Sequence, residues 1–400
     1  MPFSRQDDRS RLRVAFRLLP LNILIFLGFM IIGMPLPVLP LFVRATMSPE
    51  PLLAGMVIGL QSLVTVLTRH HAGQLADRKG PRTATMRGLV LCAVAGTFYV
   101  AAALLSIPWP GRLLVLLTGR AILGLGESLI LTGAIAWGIG RVGAGNTGTV
   151  LSWNGIAMYL ALAIGAPLGL GIYQEMREEI SGLVVLGIIS AMLPAAAGLY
   201  ALFLPDVGIA PADPIATRAV LRRILPYGSV LTLQMMGFGT IASFLSLAYA
   251  AESWSGAGAA FTGFGIGVVV VRLLWGHLPD RVGGRSIAAL SLLVDCVGQM
   301  VIWLAPIPAV AAVGAILTGM GLALAFPALG LEAMRRLPSG SKGLAVGLFS
   351  AFQDIAFGIT GPLAGLLAEL AGTRAVFAAG AAAAIIALCV LSGIREGERT

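Results

Sequence analysis

Two charged residues, Arg120 and Glu127, lie seven positions apart in an apolar stretch at residues 112–139 of this 400-residue chain. This spacing places both side chains on one face of an α-helix, about 10 Å apart along its axis. A carboxyl group in apolar surroundings can carry a proton or bind a cation, and a guanidinium can pair with it. Glu127 is therefore the first candidate for proton or cation chemistry. A permanent Arg120–Glu127 ion pair that braces the helix is the alternative.

The composition indicates a membrane protein built from helices. Hydrophobic residues make up 58% of the chain and charged residues 11%, whereas a soluble globular chain has about 25% charged residues. A helix needs about 20 mostly apolar residues to cross a bilayer. No stretch alternates between apolar and polar residues as a membrane β-barrel requires. We predict an all-α polytopic fold with twelve transmembrane helices, at 17–43, 52–75, 83–106, 112–139, 148–173, 181–204, 224–251, 258–278, 285–304, 307–335, 340–370 and 373–394.

Positive charge is unequally divided between the two sides of these predicted spans. Of the 27 Lys and Arg residues, 20 lie in tails and loops on the side of the N-terminus, and four lie on the opposite side. The positive-inside rule then predicts that both termini are cytoplasmic. No glycosylation sequon or lipidation signal is present, which is consistent with the inner membrane of a bacterium. This topology explains the formal charge of +9 without a nucleic-acid partner. The three cysteines stand alone in apolar stretches, which predicts neither a disulfide framework nor a metal site.

The sequence contains an internal repeat. RHHAGQLADRKGPR at 69–82 aligns without gaps with RLLWGHLPDRVGGR at 272–285, at an offset of 203 residues. Other segments match at nearby offsets, and Pro167 and Pro362 correspond at an offset of 195. Two six-helix halves around a cavity at the middle of the membrane are typical of transporters that rock one half against the other. The predicted segments are a cytoplasmic tail at 1–16, a first half at 17–204, a cytoplasmic linker at 205–223, a second half at 224–394 and a cytoplasmic tail at 395–400.

Several of these motifs resemble those of the major facilitator superfamily. GQLADRKGPR at 73–82 is similar to the family signature between the second and third spans, and LLTGRAILGLGES at 116–128 is similar to its fourth-span motif. GAPLG at 165–169 departs from the antiporter motif of the fifth span, because Ala166 stands where that motif has glycine. GPLAG at 361–365 fits that motif better, but it lies in the eleventh span. The resemblance is closest to small bacterial exporters of the arabinose-efflux-permease-like branch.

The two loop motifs are the predicted conformational gate. Their glycines allow sharp turns, and Asp77 and Asp280 can accept hydrogen bonds from N–H groups at a nearby helix N-terminus. The family resemblance implies that Asp77 helps to close the cytoplasmic side, near Lys342, and loses this contact on opening. A tight turn that serves topology alone is the alternative. The gate residues are Gly73, Asp77, Arg78, Gly80 and Arg82 in the first copy, and Gly276, Asp280, Arg281, Gly283 and Arg285 in the second.

Two further arginines, Arg69 and Arg272, occupy the same position in the two halves, shortly before the cytoplasmic end of a span. Long side chains at that depth can reach toward the membrane surface, which predicts a structural role for both. Asp295 lies ten residues into the ninth span, where an unpaired charge would be costly. We predict a structural ion pair between Arg272 and Asp295 on neighbouring helices.

Asp354 lies near the middle of the eleventh span and corresponds to Tyr159 at the offset of 195 residues. This difference between the halves predicts that Asp354 acts in proton coupling or substrate binding. Other polar residues in mid-span are predicted to line a cavity, with bonding between helices as the alternative; they are Gln61, Gln234, Gln353, Asn154 and Tyr159. The small residues predicted to allow close helix packing are Gly165, Pro167, Gly169, Gly361, Pro362 and Gly365.

Together these features predict a secondary active transporter that exports a small organic solute, such as a drug, a sugar or a metabolite. The buried acids and the resemblance favour proton antiport by rocker-switch alternation. A proton symporter or facilitator that imports a sugar or an organic acid would share every gross feature, and a receptor on the same fold would need a signalling domain. We predict no enzymatic activity, cofactor, metal or nucleic-acid partner. No Walker lysine motif is present, which predicts that ATP does not drive transport directly. The predicted partners are the solute, protons and the lipid bilayer, and the predicted oligomeric state is a monomer.

Overall fold

The computed structural model describes residues 5–176, 178–208, 217–335, 337 and 342–394. These described residues form fifteen α-helices and a single 3₁₀ turn, and they contain no β-strand. The helices are α1 (Arg5–Gly33), α2 (Val38–Thr46), α3 (Pro51–Lys79), α4 (Pro81–Leu104), α5 (Trp109–Val142), α6 (Thr147–Glu175), α7 (Glu179–Leu202), α8 (Thr217–Ala251), α9 (Ala257–Trp275), α10 (Leu278–Val282), α11 (Gly284–Leu304), α12 (Pro308–Ala323), α13 (Ala325–Arg335), α14 (Lys342–Ala371) and α15 (Ala375–Gly393).

Twelve helical segments of the described chain are long and apolar enough to cross a membrane. Helices α1 and α2 together form span 1, helices α12 and α13 together form span 10, and α10 is a short connection between spans 8 and 9. Each other helix is one span, and the spans are numbered 1 to 12 in chain order. The predicted all-α fold with twelve transmembrane helices is confirmed. Span 1 begins and span 12 ends on one side of the bundle, which we call the termini side, and we call the opposite side the far side.

Hydropathy located the apolar part of each span more closely than it located the helix ends. Helix α1 begins at Arg5, inside the predicted tail at 1–16, and α8 begins at Thr217, inside the predicted linker at 205–223. Both segments are rich in arginine, which favours helix and lets it continue beyond the apolar region. Both helices therefore begin before the predicted spans, within the segments assigned to the tail and the linker. The middle of the linker, 209–216, and the predicted tail at 395–400 lie outside the described residues.

Span 10 is broken in its middle by a proline. Helix α12 ends at Ala323, and α13 begins at Ala325. Pro327 has no backbone N–H and cannot donate to the carbonyl of Ala323, four residues earlier, as the helix would require. The Ala323 carbonyl instead accepts a hydrogen bond from Arg272 Nε on span 8, at 3.0 Å. The break thus supplies a backbone acceptor in the middle of the second half.

The two copies of the loop motif share a glycine turn but differ in the helix that precedes it. Gly80 and Gly283 both have positive φ, at 90° and 105°, in a region that is almost restricted to glycine. Helix α3 runs unbroken to this turn, whereas α9 ends at Trp275. Pro279 stands in the second copy where the first has Ala76, and it cannot donate to the carbonyl of Trp275. The eighth span is therefore shorter than its predicted range of 258–278.

The last arginine of each motif holds the end of its own half. Arg82 donates to the Leu202 carbonyl at the end of span 6, at 2.7 Å. Arg285 donates to the carbonyls of Ile394 and Ser392 at the end of span 12, at 2.7 and 2.8 Å. A cation at a helix C-terminus satisfies carbonyls that have no partner within the helix. The same contact in both halves supports the division of the chain into two copies of one six-helix unit.

The halves contact each other most closely on the far side. Gly55 of span 2 packs against Gly361 of span 11, and Gly258 of span 8 packs against Pro167 of span 5. On the termini side, by contrast, a Cβ added at Gly73 of span 2 or at Gly347 of span 11 would meet no atom within 4 Å. The interface between the halves is therefore closed on the far side and open toward the termini side.

We expect Gly80→Ala to destabilise the protein by about 1–3 kcal/mol, because alanine would be forced into a backbone conformation that favours glycine. Gly73→Ala is the matched control, because Gly73 lies inside α3 with open space around it and alanine is a better helix former. Thermal unfolding of both purified variants in one detergent provides the measurement. Equal melting temperatures would show that the backbone at Gly80 is not constrained as described.

Candidate functional site

A cavity lies between the two halves. Spans 1, 2, 4 and 5 of the first half and spans 7, 8, 10 and 11 of the second half line it, and the lining residues are mostly apolar. Five charged side chains also reach it, which concentrates most of the intramembrane charge at one place. They are Arg69, Arg120, Glu127, Arg272 and Asp354.

Neutral hydrogen-bond donors of span 2 hold the carboxylate of Glu127. Gln61 Nε2 donates to Glu127 Oε2 at 2.8 Å, and Thr65 Oγ1 lies 3.1 Å from the same oxygen. Gln61 and Thr65 lie one turn apart on α3, so both face span 4, and both are buried. Glu127 itself is only partly buried and lines the cavity. The structure therefore places this carboxyl group in contact with the cavity and, among the described residues, outside any ion pair.

Arg120 does not pair with Glu127, which corrects the alternative of a permanent ion pair. Its Nε donates to the Val57 carbonyl at 2.8 Å, and its Nη groups lie 3.3 Å from the Ile58 carbonyl and from the Tyr99 hydroxyl. Helical side chains lean toward the N-terminus of their helix, and Arg120 precedes Glu127. The guanidinium therefore points away from the carboxylate and ties span 4 to spans 2 and 3.

An ion pair crosses the interface between the halves. Arg69 of span 2 donates through Nη2 to Asp354 Oδ2 of span 11, and both side chains are largely buried. Both charges also act electrostatically on Glu127. Sequence reasoning singled out Asp354 but assigned Arg69 a structural role, with its side chain reaching toward the membrane surface. The structure brings Arg69, Asp354 and Glu127 together as one charged group.

The predicted ion pair between Arg272 and Asp295 does not form. Arg272 of span 8 faces the first half, where its guanidinium lies 4.9 Å from the centre of the Tyr159 ring. Asp295 of span 9 is fully buried inside the second half, beside Gly237 and Gly321. Among the described residues, neither of its carboxylate oxygens has a hydrogen-bond partner. The prediction was wrong because the two side chains point in different directions from neighbouring helices.

Four of the five polar candidates line the cavity, and one does not. Gln61, Asn154, Tyr159 and Gln353 contribute to the cavity wall. Gln234 is fully buried within the second half and donates through Nε2 to the Gly321 carbonyl at 3.1 Å. Gln234 therefore forms a hydrogen bond between helices, which was the alternative to lining the cavity. Sequence reasoning missed Thr65, Phe238 and Phe357, although Thr65 follows Gln61 by one helical turn.

The small residues of spans 5 and 11 lie at close helix contacts. Gly165 and Gly169 of span 5 lie against span 1 near Met34. Pro167 lies beside Gly258 of span 8. In span 11, Gly361 lies against Gly55, Pro362 against Gly59, and Gly365 against Leu52. The three positions of span 11 allow it to approach span 2 closely across the interface.

The side chains of the two loop-motif acids are exposed to solvent in this open state. Asp77 and Asp280 are both exposed, and neither has a hydrogen bond or ion pair within the described part of the chain. The N–H of Gly284, at the start of span 9, is instead bonded by Glu332 Oε1 at 3.0 Å. The predicted contact near Lys342 concerns a side chain outside the described ones. Exposure of Asp77 accords with the separation of the halves on the termini side.

Comparison with known proteins agrees with this architecture. The sequence model of the Major Facilitator Superfamily matches residues 21–234 and again residues 227–399. This chain belongs to the major facilitator superfamily. It is 42% identical over 396 residues to an uncharacterised MFS-type transporter of Burkholderia pseudomallei strain 1106a, which covers 98% of this chain and 96% of the relative. Two matches, one to each half, accord with the internal repeat.

Solved structures of the superfamily share the fold. The nucleoside transporter NupG aligns with a TM-score of 0.76 at 15% identity, over 95% of this chain and all of the other. The Escherichia coli fucose:proton symporter FucP aligns with a TM-score of 0.67 at 16% identity, over 96% and 100%. Membership of the superfamily makes the chain a transporter rather than an enzyme, and a multi-pass membrane protein.

The Arg69–Asp354 pair should be detectable in a double-mutant cycle. Arg69→Gln and Asp354→Asn should each lower the melting temperature, because each leaves one buried charge alone. The double variant should lose less than the sum of the two single losses, by about 0.5–3 kcal/mol. Thermal unfolding in detergent measures all four proteins. Strictly additive losses would show that the two side chains do not interact.

Asp295→Asn should retain or raise the thermal stability of the protein. Asparagine has nearly the same shape as aspartate and brings no charge into a site that offers the carboxylate no partner. Asp354→Asn, which breaks an ion pair, serves as the comparison under the same conditions. A loss at Asp295 as large as the loss at Asp354 would reveal a stabilising partner for the buried carboxylate.

Proposed function

We propose that this transporter exports a small organic solute in exchange for protons, by rocker-switch alternation of its two halves. The observation that carries the proposal is the charged group formed by Glu127, Arg69 and Asp354 at the interface. With both termini in the cytoplasm, as the positive-inside rule predicts, the open termini side faces the cytoplasm. An exporter takes up its solute in this conformation.

Glu127 is the better site for proton exchange because its partners are neutral. Protonation of Glu127 breaks no ion pair, since Gln61 and Thr65 hold its carboxylate. Protonation of Asp354 would instead remove the negative charge that holds Arg69 of the opposite half. A proton that moves between these acids, or a solute that competes for Arg69, would weaken the bond between spans 2 and 11. In this way binding would be linked to the relative position of the halves.

A proton symporter or facilitator that imports a sugar or an organic acid is the second candidate. The same charged group can link a proton to movement in either direction, and FucP, which has the same fold, is a fucose:proton symporter. The sign of the proton movement separates the two functions. Solute added to the cytoplasmic face draws protons outward through a symporter and inward, into the cytoplasm, through an antiporter.

Glu127→Gln should abolish proton coupling while the protein still folds and inserts. Inverted membrane vesicles are first acidified, and a panel of cationic drugs, sugars, amino acids and organic acids is then added to the outside. An antiporter dissipates the pH gradient when its solute enters the vesicle, because protons leave in exchange. We expect this response from the wild-type protein and its loss in Glu127→Gln.

Glu369→Gln is the matched control, because Glu369 is exposed at the far end of span 11 and lies outside the cavity wall. It should respond as the wild type does. An unchanged response in Glu127→Gln would exclude Glu127 as the proton carrier. Movement of labelled solute without any change of pH gradient in the wild type would exclude antiport altogether.

A further inference from the structure

Two arginines related by the internal repeat both reach across the interface between the halves. Arg69 of span 2 contacts span 11, and Arg272 of span 8 lies against Gly155 and Tyr159 of span 5. Arg69 and Arg272 correspond at the offset of 203 residues, and Tyr159 and Asp354 correspond at the offset of 195. The two contacts are therefore equivalent in the duplicated fold.

The equivalent contacts differ in charge. Asp354 supplies a carboxylate to Arg69. At the matching place Tyr159 offers Arg272 only the face of its ring, which attracts a cation but carries no negative charge. No carboxylate of the described residues forms an ion pair with Arg272. One of the two symmetry-related arginines is thus compensated by the protein, and the other is not.

The guanidinium of Arg272 is held in place through one of its nitrogens. Its Nε donates to the Ala323 carbonyl, which Pro327 leaves without a partner inside span 10. The two Nη groups are on the side next to Gly155 and Tyr159, and all three residues line the cavity. Two parallel N–H donors of a guanidinium suit the two oxygens of a carboxylate. In Arg272 the two Nη groups provide this pair of donors, because Nε is already bonded to Ala323. The arginine is oriented before any solute binds.

An aromatic wall lies beside this positive charge. The ring centre of Phe238 is 6.3 Å from that of Tyr159 and 4.9 Å from that of Phe357. All three rings line the cavity. Such a wall can pack against the apolar body of a solute while a polar group is bound next to it.

The charged side chains of the cavity carry an excess of positive charge. Three arginines and two carboxylates reach it, so one positive charge remains when both acids are ionised. Arg120 is satisfied by backbone carbonyls and by Tyr99, deep beside span 2. Arg272 is therefore the cation that a solute in the cavity can compensate.

We propose that Arg272 binds the carboxylate of an aromatic or similarly apolar organic anion, and that such anions are the substrate class. The proposal rests on the proposed transport function and specifies its solute. The carboxylate takes the place that Asp354 occupies in the other half, and the rings of Phe238 and Phe357 contact the apolar body.

The test uses three probes that share one ring system and differ in charge: 2-naphthoate, 2-naphthylmethanol and 2-naphthylmethylamine. Their affinities for the purified full-length protein are measured by isothermal titration calorimetry in detergent. We expect 2-naphthoate to bind at least about 10-fold more tightly than the alcohol and the amine, a difference of about 1.4 kcal/mol. Arg272→Gln should remove this preference, and affinity for the alcohol should stay within about 3-fold of the wild type.

Two substitutions at Tyr159 provide a test that leaves Arg272 in place. Tyr159→Phe retains the ring and should retain the preference for 2-naphthoate. Tyr159→Asp supplies the carboxylate found in the other half, so it should weaken 2-naphthoate at least about 10-fold, as Arg272→Gln does. Melting temperatures of all variants identify any that fail to fold, and the Tyr159 pair then decides the question without Arg272→Gln.

Several results would overturn the proposal. They are tighter binding of the amine, equal binding of all three probes, no binding of 2-naphthoate at millimolar concentration, or a preference that survives Arg272→Gln. Failure of the transport proposal has a different signature. If 2-naphthoate binds through Arg272 but Glu127→Gln leaves the vesicle response unchanged, the anion site stands and the assignment of proton coupling falls.

Discussion

The cost of placing charge in a medium without water governs the centre of this protein. A charged side chain between the halves must find compensation there, because neither lipid nor apolar side chains can provide it. The five charged residues of the cavity find it in different ways. Glu127 accepts bonds from neutral side chains, Arg69 and Asp354 compensate each other, Arg120 bonds to backbone carbonyls, and Arg272 uses a carbonyl and an aromatic face.

These arrangements differ in how easily they can change. A bond from a side chain to a carbonyl inside one half moves with that half and is indifferent to opening or closing. The Arg69–Asp354 pair and the contact of Arg272 with Tyr159 join different halves. Their strength therefore depends on how the halves are placed, and a change in their charge alters the energy of that placement. The symmetric fold thus carries an asymmetric pair of electrostatic contacts.

The sequence was sufficient for the fold and for the equivalence of the halves. Length and hydropathy determine the number of spans, since few structures satisfy backbone hydrogen bonds in lipid. The repeat at 69–82 and 272–285 predicted matching turns, and both glycine turns are present at Gly80 and Gly283. Helix ends were less predictable, because arginine-rich helices such as the start of α8 continue beyond the apolar region.

The partners of the buried charges could be predicted only in part. Position in a span gives depth in the membrane, but the rotation of a helix about its axis depends on the packing of all its neighbours. Asp295 and Arg272 lie on consecutive spans, yet one side chain faces the interior of its half and the other faces the interface. Arg120 and Glu127 share a face, but both side chains lean toward the N-terminus of their helix, so Arg120 leans away from Glu127. Asp354 was selected because Tyr159 occupies the equivalent position in the other half. The same difference determines that Arg69 has a carboxylate partner and that Arg272 has an aromatic one.

The proline break in span 10 has a consequence for how this cavity can vary among related chains. Arg272 is anchored to a backbone carbonyl that Pro327 leaves open, and a carbonyl is present whatever side chain occupies that position. Substitutions along span 10 can therefore accumulate without releasing the arginine, provided that the proline remains. The aromatic wall of spans 5, 7 and 11 is not protected in this way, because side chains form its shape. Related chains would then retain the position of Arg272, while the shape of the solute that they accept would differ from one chain to another.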